Sequence, residues 1–185
     1  LLPFSTKSGH ISLVDALFTA ASGVCVTGLI VQDTATYFTA FGQAVILILF
    51  QLGGLGIMTF STLILLVAGK RISIKDRIII QQGFHHGAPK DFKYLIKNIF
   101  LYTLILEAAG SLSLFLRWQK DFPWQKALSY SVFHSISALC NAGFSLFSRS
   151  FISYRSDTWI NITLFLLIIL GGMGFLALQE MKEVF

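Results

Sequence analysis

Three long stretches of this chain are almost free of charge, at 39–69, 99–116 and 158–179, and Glu107 is the only charged residue within them. An apolar helix needs about 20 residues to cross the hydrocarbon core of a bilayer. The whole chain is 12% charged, against about 25% in soluble domains, which excludes a soluble fold. The sequence therefore predicts an all-α membrane protein that crosses the cell membrane several times.

Basic residues predict the orientation of these spans, because Lys and Arg concentrate in cytoplasmic loops. Seven of the 14 Lys and Arg residues lie between 70 and 97, which places the segment 70–93 in the cytoplasm. The net charge of +5 therefore reflects topology and does not indicate nucleic acid as a partner. The chain starts at Leu1 without a Met, and we expect it to be part of a longer protein.

Two pairs of motifs indicate an internal repeat. FTAASGVCVTGL at 18–29 aligns with FHSISALCNAGF at 133–144, and GGLGIMTF at 53–60 aligns with GGMGFLAL at 171–178. The offset is 115 residues for the first pair and 118 for the second. Motifs that recur in the same order indicate duplication of one structural unit.

We expect a first repeat at 1–69 that lacks its outer helix, a basic connection at 70–93 and a second repeat at 94–185. Each repeat contains an interrupted apolar segment, here called a pore loop, followed by an inner helix. The predicted elements are pore loops at 12–31 and 125–145, inner helices at 39–69 and 158–178, and the outer helix of the second repeat at 94–116.

The pore loops either cross the membrane or dip into it and return. Full crossing gives five spans with opposed inner helices, whereas re-entry gives three spans with parallel ones. Each loop has room for about three or four helical turns before Gly28 or Gly143, which favours re-entry. Non-helical backbone at membrane depth persists where protein buries it or where it lines a water-filled path. Such backbone, repeated about an axis, can present rings of carbonyl oxygens to a cation, so the residues predict a pore.

The same residues resemble a known family. DALFTAASGVCVTGLIVQDTATYFTAFGQAVILILFQLGGLGIMTF at 15–60 is similar to the first repeat of the Trk/Ktr/HKT potassium transporters, and FHSISALCNAGFSL at 133–146 resembles their second pore loop. GKRISIKDR at 69–77 and LIKNIFLYTLILEAAGSL at 95–112 are most similar to the Ktr-type membrane subunit. The resemblance implies four repeats in the complete polypeptide, of which this chain would hold most of the first and the second.

The resemblance implies that Gly28 and Gly143 are the filter glycines, which accompany potassium permeation in this family. It further implies that backbone carbonyls of two filter strands coordinate K⁺: Val26, Thr27, Gly28 and Leu29 in the first, and Asn141, Ala142, Gly143 and Phe144 in the second. Coupling to Na⁺ is left open, and no other cofactor or metal is expected. The implied partners are the lipid bilayer, a second membrane subunit in a homodimer, and a cytoplasmic nucleotide-binding regulatory ring of the KtrA or TrkA type near 70–93.

Two other functions stay open. One is transport of another monovalent cation, such as sodium or ammonium, on the same scaffold. The other is a membrane enzyme or sensor whose repeats only pack. The sequence contains no nucleotide-binding glycine loop, nucleophile elbow or zinc-protease motif, and we expect no enzyme activity.

Several further residues have a structural interpretation beside a functional one. We favour packing over catalysis or metal binding for Cys25 and Cys140, and close helix packing over a hinge for the inner-helix glycines Gly53, Gly54, Gly56, Gly171, Gly172 and Gly174. Asp15 is expected to cap its helix and complement the helix dipole.

Three other predictions concern polar and aromatic side chains within or beside the apolar segments. For Glu107 a buried hydrogen bond and a transport role stay open. For His134 we favour a local hydrogen bond over proton sensing, and His85–His86 is a weak metal signal. An interfacial aromatic belt is expected from Trp118, Trp124, Trp159 and Tyr154.

Overall fold

The fold is that of a computed structural model, which describes residues 3–7, 9–56 and 92–184, with side chains described from 97 to 172 in the last range. Five α-helices lie in these residues: α1 (Leu13–Val24), α2 (Ala40–Gly54), α3 (Phe92–Trp118), α4 (Trp124–Leu139) and α5 (Thr158–Val184). Short 3-10 turns occur at Pro3–Ser5 and Ile152–Tyr154. The described residues contain no β-strand, which confirms the all-α prediction for that part of the chain.

The chain divides into two compact units, one of Leu1–Gly54 with Ile105–Phe185 and the other of Leu55–Leu104. Every contact discussed below lies within the first unit. In that unit α1 packs on α2, and α4 packs on both α2 and α5. Each predicted pore loop therefore begins with a helix, α1 or α4, that packs against a predicted inner helix.

The start of α1 is fixed by Ser12 and not by Asp15. The Ser12 side chain accepts a hydrogen bond from the Asp15 amide at 3.0 Å and is the N-cap. Asp15 lies in the first turn, where its carboxylate complements the positive end of the helix dipole. The predicted dipole role of Asp15 is thus compatible with the structure, but the predicted capping bond comes from its neighbour.

Aromatic rings join α2 to α4 and to the segment that follows α4. Phe50 of α2 meets Phe133 of α4 edge-on, with ring centroids 5.4 Å apart. It also stacks on Phe144 at 5.9 Å. All three side chains are buried, so the second pore loop is fixed to the first inner helix by apolar packing.

Trp118 at the end of α3 does not belong to an interfacial belt. It is 0% exposed and lies among the rings of His134, Phe147 and Phe151. The belt prediction is therefore wrong for this residue, because its indole fills the core between α3 and α4. Trp124 and Trp159 are exposed, as a belt position requires.

The first inner helix differs from its prediction. The apolar pattern predicts one helix over 39–69, but α2 ends at Gly54 and Gly56 has a φ of +82°. Hydrophobicity does not reveal this break, since glycine costs a helix only about 1 kcal/mol relative to alanine. Residues 57–69 of this predicted helix, and 70–91 of the predicted connection, lie outside the described residues. The second inner helix, α5, continues through its glycines to Val184.

One helix among the described residues is long and apolar enough to cross a membrane. It is Lys97–Trp118 within α3, with a mean hydropathy of 1.9 and only 28% of its most apolar window buried by protein. The apolar segments Leu13–Val24, Ala40–Gly54 and Thr158–Gly172 are shorter. This part of α3 thus has the length and composition of a membrane-spanning helix.

Candidate functional site

α1 and α4 end in the same backbone turn. In both, the residue after the helix cap is left-handed, and the next amide donates to the carbonyl five residues earlier. These features define a Schellman motif, which usually has glycine at the left-handed position. The amides of Cys25, Val26 and Thr27 donate to Ala21, Gly23 and Ser22 at 2.8, 3.2 and 3.0 Å, and those of Cys140, Asn141 and Ala142 donate to Ile136, Ala138 and Ser137 at 2.9, 3.0 and 2.8 Å.

Left-handed backbone recurs within each predicted filter strand. The φ angles are +56° at Val26 and +73° at Gly28, and +57° at Asn141 and +72° at Gly143. Glycine and asparagine tolerate this conformation, but a β-branched residue such as Val26 is a genuine outlier. Backbone held in such a conformation costs about 1–3 kcal/mol and is concentrated at functional sites.

The two strands meet at their glycines. A Cβ atom added to Gly28 would lie 2.7 Å from the carbonyl oxygen of Ala142. A Cβ added to Gly143 would lie 3.4 Å from the Cα of Gly28. The structure therefore brings the two sequence-predicted glycines together, and only a residue without a side chain fits at Gly28.

Most carbonyl groups of the two strands have no protein partner. Among the residues that the structure describes, no hydrogen-bond donor reaches the carbonyls of 26–29 or of 141–143. Phe144 differs from these seven, because its carbonyl accepts a bond from the buried Ser137 hydroxyl at 2.7 Å. Its predicted role as an ion ligand therefore competes with a bond to α4. The other seven carbonyls accept no hydrogen bond from the described residues and could accept one from water or bind a cation.

His134 holds the segment that follows the second strand. Its Nε2 accepts a hydrogen bond from the Leu146 amide at 3.1 Å, and its Nδ1 lies 2.8 Å from the Tyr130 carbonyl. These partners assign a neutral ring with its proton on Nδ1. The ring also stacks on Phe147 with centroids 4.8 Å apart. His134 thus makes the predicted local hydrogen bond and fixes the exit of the strand.

The inner-helix glycines Gly53 and Gly171 occupy equivalent contacts. A Cβ at Gly53 would collide with the carbonyl of Val24, and a Cβ at Gly171 would collide with the carbonyl of Leu139. Val24 and Leu139 are themselves 115 residues apart. α2 therefore lies against the last turn of α1, and α5 against the last turn of α4, each through a glycine.

The remaining inner-helix glycines have different surroundings. A Cβ at Gly54 would lie 2.5 Å from Sγ of Cys140. One at Gly172 would have its nearest neighbour at 3.7 Å, and one at Gly56 would have none within 4 Å. The surroundings of Gly174 lie outside the described side chains. Close packing thus requires glycine at 53, 54 and 171 but not at 56 or 172.

The two cysteines do not share one environment. Cys140 is partly covered and packs against the core that contains Phe50, as its packing prediction requires. Cys25 is exposed. No group of three or more His, Cys, Asp or Glu side chains able to hold a metal occurs in the part of the chain that the structure describes, and His85–His86 lies outside that part.

The segment after the first strand is organised by Asp33. Its Oδ1 accepts a hydrogen bond from the Ala35 amide at 2.8 Å. Partial burial raises the pKa of Asp33, but hydrogen bonds from Ser148, Ala35 and Thr36 outweigh burial and hold its pKa below the ordinary value. Asp33 is therefore ionised at neutral pH, and it joins the exit of the first strand to that of the second.

Sequence reasoning assigned no role to three residues that contribute to the site: Ser137, Ser22 and Gln51. Ser137 binds the Phe144 carbonyl, and the equivalent Ser22 accepts a bond from the Thr27 hydroxyl at 3.1 Å. Ser22 and Ser137 align at the 115-residue offset of the repeat, and this alignment could have identified both residues from the sequence. Gln51, which contacts Glu107 at 2.6 Å, carried no such signal, because its partner comes from a distant helix.

The chain is similar to known transport proteins over almost its full length. The model of the TrkH family, described as a cation transport protein, matches residues 2–181. The Ktr system potassium uptake protein B of Bacillus subtilis is 44% identical over 99% of this chain. The protein of the same name from Vibrio alginolyticus is 40% identical over 97% of it, and the potassium/sodium uptake protein NtpJ of Enterococcus hirae is 34% identical over 97% of it.

These relatives are longer proteins. The matched regions cover 41%, 39% and 40% of them, respectively, so the chain spans about two fifths of their length. Within that span the family match covers both predicted pore loops and both predicted inner helices. The chain belongs to the TrkH family of cation transport proteins.

Proposed function

We propose that the complete protein transports potassium across the cell membrane and that this chain supplies two of its filter strands. The observation that carries the proposal is a set of seven carbonyls, on two strands that meet at Gly28 and Gly143, to which no described residue donates a hydrogen bond. Rings of backbone carbonyls replace the hydration shell of a cation in selectivity filters. Two relatives that bear the name of potassium uptake proteins support K⁺ as the ion.

The pore helices support a re-entrant arrangement. α1 has 12 residues and α4 has 16, which correspond to lengths of about 18 and 24 Å at 1.5 Å per residue. Neither length reaches the roughly 30 Å of a hydrocarbon core. We propose that both helices enter the outer half of the membrane and that the filter strands return, giving repeats at 1–69 and 94–185 joined by 70–93.

Helix polarity supports cation rather than anion passage. Each filter strand follows the C-terminal end of its pore helix, at Val24 and at Leu139. That end carries a partial negative charge from unpaired carbonyls. A cation that sheds its water beside Gly28 and Gly143 would therefore be stabilised by strand carbonyls and by two helix dipoles. Neither contribution requires a charged side chain in the filter.

We extend the proposal to the partners of the complete protein. The names of the Ktr relatives refer to a system, which supports an assembly of more than one component. We propose a multi-pass subunit in the cell membrane, paired as a homodimer, with a nucleotide-binding ring on the cytoplasmic side near 70–93. The names of these relatives describe uptake, which supports a transporter rather than an enzyme.

The test is ion uptake by the complete protein in a strain that lacks its own potassium uptake. Rubidium, used as a tracer for potassium, should enter cells that express the protein and not cells with an empty vector. Growth at low external potassium should recover in the same cells. Absence of rubidium entry, with the protein present in the membrane, would overturn the proposal.

Sodium is the second candidate, since one relative is named a potassium/sodium uptake protein. The same cells distinguish the two ions when labelled sodium replaces rubidium. If only sodium enters, the transported ion is sodium. If rubidium entry is unaffected by a tenfold excess of sodium (about 1.4 kcal/mol of discrimination), the transported ion is potassium.

A further inference from the structure

Three polar side chains, on α2, on α3 and directly after α4, are joined by hydrogen bonds at the start of the second predicted filter strand. Gln51 of α2 donates from Nε2 to Oε1 of Glu107 in α3, at 2.6 Å. The Cys140 thiol, which follows α4, donates to Oε1 of Gln51 at 3.4 Å. We call Cys140, Gln51 and Glu107 the polar bridge.

Burial of the polar bridge costs free energy, which indicates that its polar side chains have a role. Glu107 is 7% exposed within the apolar helix α3. A carboxyl group in such surroundings is retained only with partners, and intramembrane acids usually mark functional positions. The Ser135 hydroxyl also donates to the backbone carbonyl of Glu107 at 2.8 Å, so α4 holds this turn of α3 as well.

The Glu107 carboxyl group determines which way the Gln51 amide faces, because its Oε1 accepts from the amide NH₂. An amide has one donating and one accepting end, and Glu107 takes the donating end. The accepting end is thereby presented to Cys140. Without Glu107, the amide could turn over and place its NH₂ group against the thiol. Glu107 thus acts on Cys140 through Gln51.

Cys140 connects the polar bridge to the second predicted filter strand. It is the C-cap of α4, and its own amide donates to Ile136. The left-handed residue Asn141 follows directly. Gly54 lies against the thiol so closely that a Cβ there would be 2.5 Å from Sγ. The start of the second strand is therefore held by α2 on one side and by its own helix on the other.

The first strand has no such bridge. Cys25 occupies the equivalent position, but it is exposed, and its thiol makes no hydrogen bond to any residue that the structure describes. Among the residues that the structure describes, polar side chains tie the second strand, and not the first, to α2.

We propose that Glu107 is a positioning residue that orders the second filter strand through Gln51 and Cys140 and thereby sharpens selection between potassium and sodium. The inference rests on the proposed function and assigns a residue that touches no ion. Loss of the bridge frees Cys140 and the strand entrance, so that the carbonyls of 141–143 can adapt to a smaller ion.

The test measures rubidium uptake and its inhibition by sodium in cells that express the complete protein. Glu107→Leu and Gln51→Leu should lower the ratio of rubidium to sodium entry about fivefold, as expected for the loss of one buried hydrogen bond. Cys140→Ala should lower it less, because a thiol is a weak donor. Cys140→Ser should keep the ratio, since its hydroxyl can donate to Gln51. Cys25→Ala is the matched control, with no change expected.

A residue swap separates positioning from a general structural role. The double variant Gln51→Glu with Glu107→Gln restores an amide–carboxylate pair in reverse, and its entry ratio should exceed that of either Leu variant. Wild-type ratios in Glu107→Leu, Gln51→Leu and Cys140→Ala at normal membrane abundance would overturn the positioning role, as would equal losses in Cys140→Ala and Cys25→Ala. A wild-type protein that carries no rubidium would instead overturn the proposed function itself.

Discussion

Val26 and Asn141 occupy the same left-handed position at the ends of α1 and α4, with φ angles of +56° and +57°. Left-handed backbone costs an ordinary L-residue roughly 1–2 kcal/mol, and asparagine pays less because its short polar side chain suits this region. The first strand therefore stores strain that the second does not. A strained strand that persists must be held by its surroundings, here the contact of Gly53 with the end of α1.

Substitution of Asn141 tests this conformational difference. Asn141→Val should destabilise the complete protein by about 1 kcal/mol, because the exposed side chain changes only the cost of the left-handed backbone. Asn141→Gly, which accepts positive φ, is the control and should be close to neutral. Thermal unfolding in detergent compares the two, and equal midpoints for both variants would contradict the assigned backbone geometry.

At this scale the sequence predicted the glycines but not the strain. Gly28 and Gly143 emerge from alignment of the two pore loops, and both lie where the strands meet. Valine disfavours left-handed backbone, so the positive φ of Val26 could not be predicted from the local sequence and is known only from the structure. The bond from Ser137 to Phe144 is likewise a tertiary feature, which sets Phe144 apart from its predicted neighbours.

Glycines fix how each inner helix meets its pore helix. Gly53 lies against the carbonyl of Val24 and Gly171 against that of Leu139. Both carbonyls belong to the turn that precedes a filter strand. Packing at this point therefore controls the place where each strand begins.

Alanine at Gly171 and at the adjacent Gly172 should have opposite effects. Gly171→Ala places a methyl group onto the Leu139 carbonyl, and overpacking of this kind costs about 1–3 kcal/mol. Gly172→Ala meets nothing closer than 3.7 Å and should stabilise α5 by up to about 1 kcal/mol. The fraction of folded protein after heating in detergent measures both, and a tolerated Gly171→Ala would refute the close contact.

Helix positions were more predictable than helix ends. The apolar stretch predicted as an outer helix over 94–116 coincides with α3 at Phe92–Trp118, since a long uncharged run leaves few alternatives. The pattern could not show that α2 stops at Gly54 while α5 continues through Gly171. The same glycine motif thus ends one helix and lies within the other, and its surroundings determine which of the two occurs.

In the proposed pore, this chain would supply two of the four repeats that the family resemblance implies. It spans about two fifths of the length of its relatives, and no donor among the described residues reaches seven carbonyls of its two predicted filter strands. A closed ring of ligands would require the strands of two further repeats. Orientation of the two repeats in the membrane therefore determines whether their strands can share one axis.

Cysteine labelling tests that orientation. Lys70→Cys and Glu183→Cys, each in a background with Cys25→Ala and Cys140→Ser, should react with a membrane-impermeant thiol reagent only from the cytoplasmic side. Lys120→Cys, between α3 and α4, should react only from outside and controls for sidedness. Labelling of the Lys70 and Glu183 sites from opposite sides would show that the pore loops cross fully.

The central claim is that Gly28 and Gly143 form part of one potassium filter, and ion selectivity tests it most directly. The measurement is the ratio of potassium to sodium flux through the complete protein carrying Gly28→Ser or Gly143→Ser. Gly9→Ala is the matched control, because Gly9 has the same φ of +73° as Gly28 but nothing within 4 Å of an added Cβ. We predict that the ratio falls about tenfold (about 1.4 kcal/mol of selectivity) in each filter variant and is unchanged in Gly9→Ala. Unaltered ratios in both filter variants would contradict the account.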